Sequence, residues 1–324
     1  MSKASTHHTP CPAPISVLGA GSWGTALAIQ LARSGAAVQL WGRDPEQMAQ
    51  MQSAHLNLKY LPECRFPPTL TATSNFAEAV AHTASIILVA TPSKAFGDTL
   101  RALKPLLQPH HRIAWATKGL EPSTCQFMNE LAEDILGKDI PLAVVSGPSF
   151  AKETGLGLPT AVTVASHTPS FANDMANALH HGVFRAYTSH DVIGVEIGGV
   201  CKNVLAIAVG CADGIGLGAN TRAMMITRGL AEMMRLGEAL GGESETLMGL
   251  SGLGDLLLTC TDNQSRNRRL GLLVAKGMSI EAATQEIGQV VEGARVSREL
   301  HNLAIKLGID MPIAEQVYRV VHEG

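Results

Sequence analysis

Lys202 is an ammonium in an apolar run, Gly198-Gly199-Val200-Cys201-Lys202-Asn203-Val204-Leu205-Ala206. Taken out of water, such a group must be paired or be used. Burial would bring its pKa toward the range of a working proton donor. Alternatively, its stem covers apolar surface while the head reaches water. Asp255, in Gly249-Leu250-Ser251-Gly252-Leu253-Gly254-Asp255-Leu256, is either the carboxylate that fixes such a lysine or holds a substrate hydroxyl, or a helix N-cap. Ser265-Arg266-Asn267, ahead of Arg268 and Arg269, set a hydroxyl, a guanidinium and an amide at an expected helix start. That group suits a phosphate, or else a basic surface patch. Lys118, in Trp115-Ala116-Thr117-Lys118-Gly119, follows an apolar strand and is a candidate for neutralising substrate or cofactor charge. Glu292, in Val290-Val291-Glu292-Gly293, reads as a loop acid.

These groups need a scaffold, and the chain begins one early. Val17-Leu18-Gly19-Ala20-Gly21-Ser22-Trp23-Gly24-Thr25-Ala26-Leu27-Ala28 carries G-x-G-x-x-G between an apolar run and a helix-like run. Gly19 allows the tight turn, Gly21 lets a pyrophosphate approach the backbone, and Gly24 lets the helix pack on the strand. The free N–H groups at that helix start would face the anion. About twenty residues on come Arg43 and Asp44. An acid there binds the ribose hydroxyls of NAD, and an arginine accommodates the phosphate of NADP. Arg43 comes first, so NADP(H) is preferred with NAD(H) possible. Arg43 also reads as a solvated loop charge, and Asp44 before Pro45 as a good N-cap.

The first half alternates short β-rich runs with helix-like segments. Strands are expected at Ile15–Leu18, Ala37–Trp41, Ser85–Ala90, Arg112–Ala116, Ala143–Ser146 and Ala161–Ala165. Helices are expected at Thr25–Ser34, Pro45–Gln52, Phe76–Ala81, Phe96–Leu107 and Ser123–Leu136. This order predicts an α/β fold with a doubly wound parallel sheet, whose ligands bind beyond the strand C-termini. Thr91-Pro92-Ser93, Thr117-Lys118-Gly119 and Gly147-Pro148-Ser149 each lie just past such a strand. From about Asp191, Ala, Leu, Met and Gly dominate with helical spacing. We therefore expect a flexible leader at 1–14, a dinucleotide-binding domain at 15–192 and an all-helical domain at 193–324.

A chain of 324 residues with 46 % apolar and 16 % charged residues can bury two cores. The net charge of −3 gives no reason to expect nucleic acid or an anionic membrane, so any anion site is local. Six cysteines without a C-x-x-C read as reduced thiols in a cytosolic protein. The histidines lack ligand spacing, so no metal is expected. Ile193–Ala212 is apolar but contains Glu196, Lys202 and four glycines, which fits a buried helix better than a membrane span.

Together these motifs resemble one family, the soluble bacterial-type NAD(P)-dependent glycerol-3-phosphate dehydrogenases. The resemblance is carried by Gly19-Ala20-Gly21-Ser22-Trp23-Gly24-Thr25-Ala26, Ala116-Thr117-Lys118-Gly119 and Ser146-Gly147-Pro148-Ser149-Phe150-Ala151. It continues with Lys202-Asn203, Gly252-Leu253-Gly254-Asp255-Leu256, Ser265-Arg266-Asn267 and Val291-Glu292-Gly293, in the family's order. It implies a Rossmann domain followed by a helical domain like that of 6-phosphogluconate dehydrogenases. It also implies reversible reduction of dihydroxyacetone phosphate to sn-glycerol 3-phosphate, feeding glycerophospholipid synthesis. By the family pattern Ser22, Trp23, Arg43 and Ala151 line the dinucleotide site, and Lys118 touches cofactor and substrate. Gly147 and Ser149 contact substrate, and Lys202 is the catalytic proton acceptor. Asp255, Ser265 and Asn267 bind substrate, Arg266 serves both ligands, and Val290 and Glu292 close on the cofactor. Arg43 sits at a position that varies within the family. The apolar helical half makes a homodimer an expectation. Two competing readings are a two-domain NADP reductase of a non-phosphorylated keto or hydroxy acid, and a dinucleotide sensor without turnover. The first accounts less well for Ser265-Arg266-Asn267, and the second leaves Lys118 and Lys202 idle.

Overall fold

In a computed structural model of the chain, residues 13–324 are described. The expected leader lies, apart from Ala13 and Pro14, outside the described residues. The strands are β1 (Ile15–Leu18), β2 (Val38–Trp41), β3 (Leu56–Asn57), β4 (Leu61–Arg65) and β5 (Leu70–Thr73). There follow β6 (Ile86–Val89), β7 (Arg112–Trp115), β8 (Leu142–Ser146), β9 (Thr160–Ala165) and β10 (Phe184–Ser189). Eight form one sheet in the order β10-β9-β8-β7-β6-β1-β2-β5, and β3 and β4 make a separate antiparallel pair. The central strands β1 and β6 are buried along their whole lengths. Strands buried along their whole length belong to a parallel sheet covered on both faces.

The sheet departs from the expected one in three respects. β9 runs antiparallel to β8, so the sheet is mixed, with the reversal toward one edge. β5 and β10 were not expected as strands. β5 is the threonine-rich Leu-Thr-Ala-Thr, and β10 is largely exposed, so neither shows an apolar run. Helix ends also move. The helix after β1 spans Ser22–Arg33, starting directly at the glycine turn. The segment expected to be helical from Ser123 becomes helix only at Met128–Leu136. Before it, the Glu121 carboxylate accepts from the backbone N–H groups of Ser123 and Thr124, and Cys125 has a positive φ of 58°. Local side-chain bonds there outcompete the helix.

Beyond Ser189 every described element is helical, beginning with Val192–Gly214. That helix is long and apolar enough to cross a membrane, yet 89 % of its apolar window is buried inside the protein. It is the axis of the second half. Gly198 is what lets it pack closely: a Cβ there would run into the backbone of Ser251. This approach brings Lys202, little more than one turn further on, toward the helix Asp255–Thr261.

Candidate active site

The first part of the site is the turn after β1. Gly19 has φ +127°, and a Cβ on it would lie 2.6 Å from the Ala90 carbonyl oxygen. Nothing lies within 4 Å of where a Gly21 Cβ would stand. Gly21 is the N-cap of Ser22–Arg33 and offers no side-chain cap, so the N–H groups of Ser22, Trp23 and Gly24 open the helix toward an anion. The Trp23 indole N–H is buried without a partner among the described residues. An open glycine and a helix start without a side-chain cap fit a dinucleotide pyrophosphate. Asn57, which the sequence did not single out, donates to the Ala20 carbonyl (3.2 Å) and to Thr25 Oγ1 (2.9 Å), fixing the turn from outside. Past β2, Asp44 Oδ1 accepts from the N–H groups of Glu46 (3.1 Å) and Gln47 (3.2 Å), capping Pro45–Ala54. Arg43 beside it is exposed, with no hydrogen bond or ion pair to a described residue.

The second part gathers three strand-end loops. Thr117 Oγ1 donates to the Thr91 carbonyl (2.8 Å), joining the loops after β6 and β7. Lys118 Nζ reaches the Gly147 carbonyl of the loop after β8 (3.5 Å), which Ser149 Oγ also approaches (2.9 Å). Ala151 starts the next helix, Ala151–Leu156.

Lys118 and the helical half meet on one carboxylate. Asp255 is buried, with Oδ2 2.7 Å from Lys118 Nζ and Oδ1 2.6 Å from Lys202 Nζ. Lys202 Nζ also donates to Thr259 Oγ1 (3.1 Å), whose hydroxyl donates to the Asp255 carbonyl (2.6 Å). Asp255 is thus the anchor of two ammonium groups, and the Lys202 head is enclosed rather than solvated. Burial lowers the Lys202 pKa to about 8. Asp255 opposes that shift and the Lys118 ammonium adds to it. Two cations on one anion leave a surplus positive charge in a poorly solvated spot, suited to a developing oxyanion. Thr259 is a site residue that sequence reading missed. Its signal is the i, i+4 spacing from Asp255, which puts both on one helix face.

The third part surrounds the start of the helix Arg266–Val274. Ser265 is its N-cap and accepts from the Arg268 N–H (3.2 Å). Asn267 donates to Asn203 Oδ1 (2.8 Å) and accepts from the Gly293 N–H (2.9 Å), so its amide ties three segments together. Arg268 is buried on Asp213 (2.6 Å). Arg266 is exposed beside them. Glu292 opens the helix Glu292–Leu307 and accepts from Ser93 Oγ (2.8 Å), linking it to the loop after β6. Arg295 bonds that same Ser93 hydroxyl and pairs with Glu299 (2.7 Å). Val290 is exposed. Arg295 was not expected, because nothing in a sequence marks a side chain that reaches another half of the molecule.

A glycine turn open to a pyrophosphate, with a lysine pair beyond the strand ends, defines a nicotinamide-dependent oxidoreductase of the Rossmann type with a helical second half. The comparisons make the assignment specific. The model for the NAD-dependent glycerol-3-phosphate dehydrogenase N-terminus matches residues 14–172, and that for the C-terminus matches residues 191–324. The chain belongs to this family. A protein of Pseudoalteromonas translucida named glycerol-3-phosphate dehydrogenase (NAD(P)+) is 54 % identical over 310 residues, 95 % of this chain and 92 % of its own length. One of the same name from Thioalkalivibrio sulfidiphilus is 55 % identical over 311 residues, 96 % of this chain and 93 % of its own. The crystal structure of a glycerol-3-phosphate dehydrogenase from Coxiella burnetii superimposes with a TM-score of 0.93 at 48 % identity, covering 97 % of this chain and 96 % of that one.

Proposed function

We propose that this chain reduces dihydroxyacetone phosphate to sn-glycerol 3-phosphate, reversibly, and supplies glycerophospholipid synthesis. The observation that carries the chemistry is the Asp255 carboxylate with Lys118 and Lys202 at 2.7 and 2.6 Å. Residues 15–192 would hold the dinucleotide and residues 193–324 would bring the proton donor and phosphate contacts. Gly19, Gly21, Ser22, Trp23 and Gly24 would cradle the pyrophosphate, with Arg43, Ala151, Val290 and Glu292 around the rest of the cofactor. Bound there, the nicotinamide supplies the hydride. As negative charge grows on the carbonyl oxygen, Lys118 and Lys202 stabilise it, and Lys202 Nζ gives it a proton. In the oxidation Lys202 takes that proton back. Asp255 holds both ammonium groups in register, while Gly147 and Ser149 orient the substrate. We further propose a cytoplasmic homodimer.

The substrate phosphate falls to Arg266, with Ser265 and Asn267 shaping the helix start. A charged hydrogen bond contributes on the order of 1.5–3 kcal/mol. Arg266→Ala is therefore expected to raise the KM for dihydroxyacetone phosphate roughly tenfold or more, with a smaller change in kcat. An unchanged KM would remove Arg266 from the phosphate site. NADP(H) preference is assigned to Arg43, the outward-facing cation beside the second strand. Arg43→Ala should weaken NADPH binding while NADH binding stays level; parallel titrations of the two reduced cofactors decide it. Equal losses for both would assign Arg43 no part in the choice.

A further inference from the structure

Glu196 is a buried carboxyl that the chemistry above does not use. It stands on the helix Val192–Gly214, six residues before Lys202. Its Oε1 accepts from the Trp115 indole N–H at 3.1 Å and from the Asn129 backbone N–H at 3.2 Å. Asn129 lies in the first turn of Met128–Leu136, so one carboxyl ties together two helices and a strand. Trp115 is the last residue of β7, three residues before Lys118, and is fully buried. Glu196 and Lys118 also line the same small cavity, about 10 Å³, with Thr117, Ser146 and Gly199. The two lysines that share Asp255 therefore sit on two elements, and Glu196 bonds one element to the other.

We propose that Glu196 is a positioning residue: it fixes the strand end bearing Lys118 against the helix bearing Lys202, so that both ammonium groups meet on Asp255. The inference rests on the assignment of Lys202 as proton donor made above. Desolvation pushes the Glu196 carboxyl up to about 8, and Glu130 on the adjoining helix adds to this. Glutamine keeps the acceptor oxygen that takes the Trp115 and Asn129 N–H bonds. Alanine removes the tie. A misplacement of about 1 Å in a catalytic group is enough to cost on the order of 100-fold in rate.

The test uses Glu196→Gln, Glu196→Ala and Trp115→Phe in the full chain, each read for kcat, KM, NADPH dissociation constant and melting temperature. Glu196→Gln should keep kcat within about threefold of wild type, whereas Glu196→Ala should lose roughly 10–100-fold in kcat. Its NADPH affinity should stay within about twofold, because the glycine turn is untouched. If the alanine variant does not fold, Trp115→Phe keeps a ring in place and deletes the N–H donor; kcat should fall while NADPH affinity holds. Wild-type kcat in Glu196→Ala or Trp115→Phe would overturn the proposal. So would a loss of kcat and NADPH affinity together that Glu196→Gln fails to rescue. Lys202→Ala, assayed alongside, separates the two claims. Full turnover there would defeat the proton-donor assignment, whereas an inactive Lys202→Ala beside a fully active Glu196→Ala would defeat only the positioning role.

Discussion

Lys202→Ala is expected to lose about 10²–10⁴ in kcat for ketone reduction while NADPH binding stays intact. The Lys202 ammonium is enclosed, 2.6 Å from Asp255 Oδ1 and 3.1 Å from Thr259 Oγ1. The glycine turn that would hold the dinucleotide is built from other residues. As the proposed proton donor, the lysine should also set a pH dependence whose sign differs by direction. Its pKa is lowered, mainly by burial, to about 8. Reduction needs the ammonium, so its rate should be full below about pH 8 and fall as pH rises through that value. Oxidation needs the free amine, so it should rise over the same interval. Rate measurements in both directions, with cofactor binding followed by fluorescence, check the prediction. A Lys202→Ala protein that turns over normally, or a wild-type enzyme with no titration near pH 8 in either direction, would assign the proton to another group.

Asp255→Asn should have the second large effect, and for a different reason. Asp255 raises the Lys202 pKa against the lowering by burial and by Lys118. With a neutral amide in its place, two ammonium groups would share a poorly solvated spot without a counter-ion. Breaking a buried ion pair costs about 3–5 kcal/mol unless the stranded group loses its charge. Lys202 would respond by releasing its proton at lower pH. Reduction at neutral pH should therefore fall about 100-fold or more, and the remaining activity should shift to the acid side. NADPH affinity again should hold. An Asp255→Asn profile that keeps the wild-type midpoint would show that this carboxylate does not control Lys202.

What could be read in the sequence was local. Gly19, Gly21 and Gly24 each answer to a requirement of one turn, and the turn has that geometry. The apolar run with Glu196 and Lys202 declared a buried helix, because only a helix enclosed by protein gives such residues partners. The sequence offered the Lys202–Asp255 pair as one reading of Asp255 among three but could not choose it, since 53 residues separate the two and the contact depends on how closely Gly198 packs on Ser251. Asp255 had an equal claim to be a cap. Asp44 is indeed a cap, so the same residue type is resolved only by what surrounds it. The β8–β9 reversal was hidden because strand direction leaves no mark on an apolar run of five or six residues. Asn57 and Arg295 escaped notice because each acts across a gap in sequence that no local pattern records.

The measurement that bears most directly on the account is the oxidation of NADPH by dihydroxyacetone phosphate in the wild-type protein, followed by absorbance, with unphosphorylated dihydroxyacetone in parallel. The account predicts steady oxidation with formation of sn-glycerol 3-phosphate, and far slower turnover of the ketone that lacks a phosphate for Arg266 to hold. No oxidation with dihydroxyacetone phosphate, in protein shown to bind NADPH, would contradict it.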